Sequence, residues 1–222
     1  MWAIHSIAGL LDTLLSEAER RRADRFHFAQ DRGAFVTTRT ALRHLLAAYT
    51  GMEPAALTFS EGPRGKPVLD AGTVHFNVSH SGGLSLLAFA RVELGIDIER
   101  IRPVAEMDSI VERDFAAGER EQWRDIPGER RERSFFLGWT RKEAYIKALG
   151  EGLHHSLQNF EVSLKPDAEA KFLNLPGWSL YDLALPGYAA ALAIREGRYE
   201  VKAWRLNGDL LQQSFAHRPS LL

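Results

Sequence analysis

Read along its length, the chain changes hydrophobic period in the same order twice, helical spacing first and strand alternation second. Ser16-Glu17-Ala18-Glu19 has the form of a capping box and opens a charged run, Arg20 to Arg25. Phe35, Leu42, Leu45 and Leu46 then recur at helical spacing, which predicts a helix over 31–49 ended by Gly51. A Gly- and Pro-rich loop, Glu61-Gly62-Pro63-Arg64-Gly65-Lys66-Pro67, closes the helical part. Val74, Phe76 and Val78 alternate with His75 and Asn77 as in a half-buried strand. Ser79 to Gly83 reads as a turn, and 84–90 and 93–99 as two more strands.

The cycle then restarts. Short helices are expected over 107–115 and 117–123 and a long one over 131–149, stopped by Gly150. Four strands follow, over 160–164, 178–183, 188–194 and 199–206, separated by Pro-Gly and Glu-Gly pairs. The expected class is α+β, with two similar lobes (1–100 and 101–206) and a tail over 207–222. The repeat lies in element order and not in residue identity.

Composition removes several function classes. The 28 basic and 29 acidic residues leave a formal charge of −1, so neither nucleic acid nor an anionic membrane is indicated as a partner. Cysteine is absent, which excludes disulfides, thiolate zinc sites and a cysteine nucleophile. No run approaches the roughly 20 apolar residues of a membrane span, and Met1 to His5 lacks the basic start of a secretory signal. A soluble cytoplasmic protein is the expectation. Neither a P-loop nor a dinucleotide-binding glycine pattern occurs.

Asp97 and Glu99 stand two apart on a predicted strand, so both carboxylates share one face while Ile96 and Ile98 share the other. Two readings fit. One is an exposed edge whose acids pair with Arg91 or Arg100, which spacing alone favours. The other is a hard dication, since Mg²⁺ is held by one or two carboxylates plus substrate phosphates. Phe136, Thr140, Glu143 and Lys147 recur on one face of the long helix, where Glu143 and Lys147 also fit an ordinary surface pair. Phe136 and Trp139 read as core. His80 sits between Ser79 and Ser81, but neighbours on a strand face apart and no nucleophile elbow is present. His154 and His155 read as loop residues. The arginines from Arg20 to Arg43, with Arg64 and Lys66, are a solvated helix face or a phosphate pocket.

Four segments in order resemble the 4′-phosphopantetheinyl transferases of the large surfactin-synthetase-activating type. They are Gly65-Lys66-Pro67; Phe76-Asn77-Val78-Ser79-His80-Ser81-Gly82; Gly95-Ile96-Asp97-Ile98-Glu99; and the run from Trp139 through Lys142-Glu143-Ala144 to Lys147 and Leu153. Between Asp97 and Trp139 lie 41 residues, a spacing usual in that family.

The resemblance implies a pseudo-twofold α+β fold with the active site at the lobe interface. One chain supplies both halves, so a monomer is expected. The implied reaction moves the phosphopantetheine arm of coenzyme A to a serine of an apo acyl or peptidyl carrier protein and releases adenosine 3′,5′-bisphosphate. The Trp139 to Ala144 form is similar to a subgroup serving secondary-metabolite synthases. By resemblance, Asp97, Glu99 and Glu143 are the Mg²⁺ ligands, and Glu143 is the base for the carrier serine. Lys147 reaches the phosphates and Lys142 adds to the same field. Ser79 and His80 contact the 3′-phosphate or pyrophosphate, Lys66 the 3′-phosphate, and Arg39 and Arg43 the nucleotide phosphates. Phe115 and the 116–123 helix form a seat for the carrier. Two other functions fit the same residues: a non-catalytic homologue that binds coenzyme A or a carrier, and a Mg²⁺-dependent phosphohydrolase.

Overall fold

The computed structural model describes residues 1–5, 12–62, 65–150, 156–195, 197 and 199–206. Arg64, 151–155 with both adjacent histidines, and the 207–222 tail lie outside the described residues.

The first helical block forms as its sequence signals dictate. In α1 (Glu17–Ala23) the Ser16 hydroxyl accepts the Glu19 N–H at 3.3 Å and the Glu19 carboxylate accepts the Ser16 N–H at 2.7 Å. Helix α2 (Ala29–Thr50) stops where Gly51 takes φ 76°, with its N–H on the Ala47 carbonyl. Strand β1 (Trp2–His5) precedes both, and a short β2–β3 ribbon (Phe59–Glu61 with Pro67–Leu69) follows. Neither β1 nor the ribbon shows enough alternation to be predicted.

Strand β4 (His75–Ser81) runs through the segment expected to turn. The turn is the two glycines alone: Ser81 pairs with Leu84 of β5 (Leu84–Ala90), and Gly82 and Gly83 both take positive φ, 55° and 83°. A two-residue hairpin needs that conformation at both positions. Ser79 and His80 are therefore strand residues.

Strand β6 (Leu94–Arg100) leads through α3 (Met107–Asp114) and α4 (Ala117–Arg124) to α5 (Gly128–Leu149), which ends at Gly150 with φ 69°. β7 (Trp178–Asp182) and β8 (Tyr188–Arg195) match their predicted positions. The segment 160–164 contributes only one isolated bridge, Val162 to Phe172. Three of its backbone donors go to helix and loop side chains instead, Val162 N–H to Glu119, Leu164 N–H to Gln122 and Glu161 N–H to Asn174, while Ser163 N–H goes to the Lys171 carbonyl. Of the last expected strand only β9 (Trp204–Leu206) forms.

One sheet has the order β4-β5-β1-β9 and the other β6-β8-β7. β6, from the first half of the chain, pairs with β8, while β9, from the second half, runs parallel to β1. Three apolar clusters set the layers. Leu42, Leu45 and Leu46 of α2 meet Ile4, Phe76 and Leu87 on one face of the first sheet. Leu86 and Ala88 on its other face meet Ile96, Ile98, Ala190 and Leu192 of the second sheet. The far side of that sheet, Ala189, Ala191 and Ala193, is covered by α5 through Ala144 and Ala148. Helix, sheet, sheet and helix follow in that order, each burying its apolar face on the next.

Candidate active site

Small residues let α5 lie directly on β6. Gly95 faces Ala193 across the strand pair, and Asp97 and Glu99 face Ala191 and Ala189. A Cβ on Gly95 would stand 2.8 Å from the Lys147 carbonyl carbon, and closer still to the Ala144 oxygen and Ala148 nitrogen. The helix backbone thus rests where a side chain would have been. This contact brings the Glu143–Lys147 turn of α5 against the acidic face of β6.

Asp97 is 3% exposed. Its Oδ1 accepts from Ser79 Oγ at 2.9 Å and from Lys147 Nζ at 2.5 Å, and Lys147 also donates to Ser79 Oγ at 3.0 Å. Two buried carboxylate oxygens, Asp97 Oδ2 and Glu143 Oε1, have no hydrogen-bond partner among the described residues. Orphaned buried acceptors are costly and demand a cation or donor. Burial first, then the nearby Asp97 and Glu99 charges, holds Glu143 above the usual carboxylate range, against the pull of Lys147. Burial likewise raises Asp97, offset in part by Lys147 and Ser79. Glu99 lies further out, accepting Ser81 Oγ at 2.9 Å, with Arg102 at 3.8 Å. Among the described residues no three His, Asp or Glu side chains are drawn into a ready-made cage. Asp97 and Glu143 present the two free oxygens, and Glu99 joins them through its charge. Two hard oxygens with unmet charge fit a small dication that takes its remaining ligands from phosphate or water.

Lys147, Ser79, Asp97 and Glu143 therefore come together as expected. Others do not. Lys142 is fully buried on the opposite side of α5, paired with Glu119 at 2.7 Å and donating to the Phe160 carbonyl at 2.7 Å. It is a core tie and supplies no field at the site. Arg43, 2% exposed, spends its guanidinium on Glu19 and on the Pro54 and Leu57 carbonyls. Arg39 turns to the same Glu19 and lies over the Phe59 ring at 4.4 Å. Arg43 leaves the set of nucleotide contacts, because Glu19 and the two carbonyls take up its buried guanidinium, while Arg39 commits its Nε to Glu19. Lys66 donates to the Leu94 and Ala148 carbonyls at 3.1 and 2.9 Å, and burial brings its pKa down to about 8. His80 is exposed near the end of β4. Of the expected carrier seat, Phe115 and Trp123 are core residues, while Ala117 and Glu121 of α4 are exposed.

Sequence reasoning passed over three contributors: Gly95 as the contact point for α5, and Asn77 and Ser81, which reach β6 through their side chains. The alternation of Asn77, Ser79 and Ser81 opposite Phe76 and Val78 was the available signal. A separate cavity of about 520 Å³ is lined by Ala18, Arg21, Arg22, Arg25, Phe26 and Glu61, so part of the early arginine run does converge.

The sequence is similar to known proteins over both halves of the chain. The family model for the 4′-phosphopantetheinyl transferase superfamily matches residues 93–193, and that for the 4′-phosphopantetheinyl transferase N-terminal region matches 6–91. The boundary between the two matches falls between β5 and β6. The 4′-phosphopantetheinyl transferase HetI of Nostoc sp. is 38% identical over 202 residues, covering 87% of this chain and 84% of that protein. The 4′-phosphopantetheinyl transferase Sfp of Bacillus subtilis is 28% identical over 165 residues, covering 74% and 72%. A solved holo-(acyl-carrier-protein) synthase from Bacillus anthracis, in complex with CoA (3′,5′-ADP), is 26% identical over 48% of this chain and 97% of that one, with a TM-score of 0.40. This chain belongs to the 4′-phosphopantetheinyl transferases.

Proposed function

We propose that this transferase carries the phosphopantetheine arm from coenzyme A to a serine hydroxyl of an apo acyl or peptidyl carrier protein, with a divalent cation, Mg²⁺, in the site. The observation that carries this reading is the pair of buried oxygens without a partner among the described residues, Asp97 Oδ2 and Glu143 Oε1, each within reach of the other's charge across the β6–α5 contact. Asp97 and Glu143 would hold the cation, with Glu99 at its edge. The cation, when bound, would polarise the attacked phosphorus and offset charge on the diphosphate.

The chain's own groups do the rest. Glu143, whose buried Oε1 has no hydrogen-bond partner among the described residues, takes the serine proton. The serine oxygen bonds to the arm's phosphorus, and the bond from that phosphorus to the bridging oxygen breaks. Adenosine 3′,5′-bisphosphate leaves with the electron pair. Lys147, held on Asp97 and Ser79, stands beside the developing charge. Lys66 has three ammonium donors and spends two on carbonyls, which leaves one for phosphate. His80 is open to the same use. The arginine-lined cavity on α1 is the chemical match for nucleotide phosphates. The two facing sheets, each backed by one long helix, support a two-lobe pseudo-twofold arrangement in which β6 groups with the second lobe.

Mass spectrometry of apo carriers of fatty-acid, polyketide and peptide type, incubated with the protein, Mg²⁺ and coenzyme A, tests this directly. At least one carrier gains the arm's mass. No gain on any carrier, from folded protein, overturns the reading. Steady release of inorganic phosphate from simple esters would favour a hydrolase instead.

A further inference from the structure

Strand β4 aims every second side chain at the backbone of β6. Asn77 Oδ1 accepts the Ile96 N–H at 2.8 Å, Ser79 Oγ the Ile98 N–H at 3.3 Å, and Ser81 Oγ the Arg100 N–H at 3.0 Å. No backbone ladder joins the two strands among the described residues. Side chains here take the place of strand carbonyls.

The two serines do more. A hydroxyl has a single proton to donate. Ser79 Oγ donates to Asp97 Oδ1 at 2.9 Å, and Ser81 Oγ donates to Glu99 Oε2 at 2.9 Å. Each hydroxyl thus ties a carboxylate to the N–H of the residue that follows it. The same device occurs twice, two residues apart, on the two acids of β6. Asn77 lacks it, because its partner in the seam, Ile96, follows a glycine.

We propose that Ser79 and Ser81 are positioning residues that set the rotamers of Asp97 and Glu99, and that neither hydroxyl contacts phosphate. A phosphate oxygen needs a donor, and each serine proton is committed to a carboxylate. This rests on the reading of Asp97, Glu99 and Glu143 as the cation-holding acids of the transferase. Partners that orient ligand carboxylates typically change metal affinity by about 10–100-fold when removed.

The experiment measures Mn²⁺ binding to the whole protein by electron paramagnetic resonance without coenzyme A, beside kcat and the KM for coenzyme A with an apo carrier. Ser79→Ala is expected to weaken Mn²⁺ binding about 10–100-fold and lower kcat, with the KM for coenzyme A within about twofold. Ser81→Ala follows with a smaller loss, and Ser79→Thr, which keeps the hydroxyl, recovers most of the affinity. Asn77→Ala removes a seam bond that touches no acid, so it lowers the melting temperature but spares Mn²⁺ affinity. A raised KM with unchanged Mn²⁺ binding in Ser79→Ala overturns the proposal in favour of a phosphate contact. Equal Mn²⁺ losses in Asn77→Ala and Ser79→Ala overturn it in favour of a purely structural seam. Failure of the unmodified protein to transfer the arm overturns the enzyme reading instead, and the Mn²⁺ comparison separates the two cases. Should Ser79→Ala not fold, Ser81→Ala against Asn77→Ala decides alone.

Discussion

Helix α5 carries two lysines five residues apart, and each meets a buried carboxylate, yet only one of the two pairs lies at the proposed active site. Lys142 faces Glu119, whose oxygens also accept the Val162 and Ala116 N–H groups at 2.8 Å each. Every lone pair with a claim on a partner has one, and the Phe115 and Phe160 rings enclose the ammonium. Lys147 faces Asp97, and there one oxygen of Asp97 and one of Glu143 stay without a partner among the described residues. A closed network locks a helix to its sheet. An incomplete one of the same chemistry keeps electrostatic demand in reserve for a ligand.

The strongest way to break this contrast is at the open pair. Glu143→Ala should keep the fold and slow carrier modification by about 10⁴-fold, since it removes the proposed base, which is also a proposed cation ligand. Asp97→Ala should follow closely. Near-normal rates with an unchanged circular dichroism spectrum would end the contrast.

Next comes the closed pair. Lys142→Met strands the Glu119 charge and should lower stability by about 3–5 kcal/mol in urea unfolding. Glu119→Leu with Lys142→Met should recover most of that. Transfer per folded molecule should stay within a few-fold; a collapse of kcat in the stable double variant would mean that Lys142 acts at the site.

Gly95→Ala probes the surface both pairs share. Its methyl must displace α5 from β6, at about 1–3 kcal/mol, and activity should fall further than stability alone explains. A variant with full activity would show that the close approach is not needed.

The smallest effect concerns pH. Asp97 and Glu143 hold their protons to higher pH when folded than when unfolded. The folded chain therefore binds more protons above the ordinary carboxylate range of about 4, and their contribution to stability falls as pH rises through that window. Mg²⁺ held by these acids, as proposed, would offset the loss, so its thermal stabilisation should grow from pH 5 to 7.5, towards about 2.7 kcal/mol at 100 times Kd. An equal shift at both pH values contradicts the raised pKa values.

Much of this was readable from residue order. The capping box at Ser16, the glycine stops at Gly51 and Gly150, the acids of β6 and the Glu143–Lys147 step all stand where periodicity puts them. Lys142 should have been readable too. At about 100° per residue it points well away from Glu143, and five residues place Lys147 about 140° round the helix from it. Arg39 and Arg43 were not, because their partner Glu19 lies 20 and 24 residues away and no local pattern announces it. The 160–164 segment has strand composition, but side chains of α4 take the N–H groups of Val162 and Leu164, and only a single bridge to Phe172 forms.

The meeting of β1 with β9 has its own consequence for how the chain is made. Met1 donates its amino group to the Lys202 carbonyl at 2.8 Å, across 201 residues. During synthesis the first strand emerges from the ribosome long before the one that shields its flank, and closing so large a loop is slow. Until then β1 offers a bare edge to any passing polypeptide. Nascent or truncated chains that stop short of Trp204 are the forms most in need of chaperones.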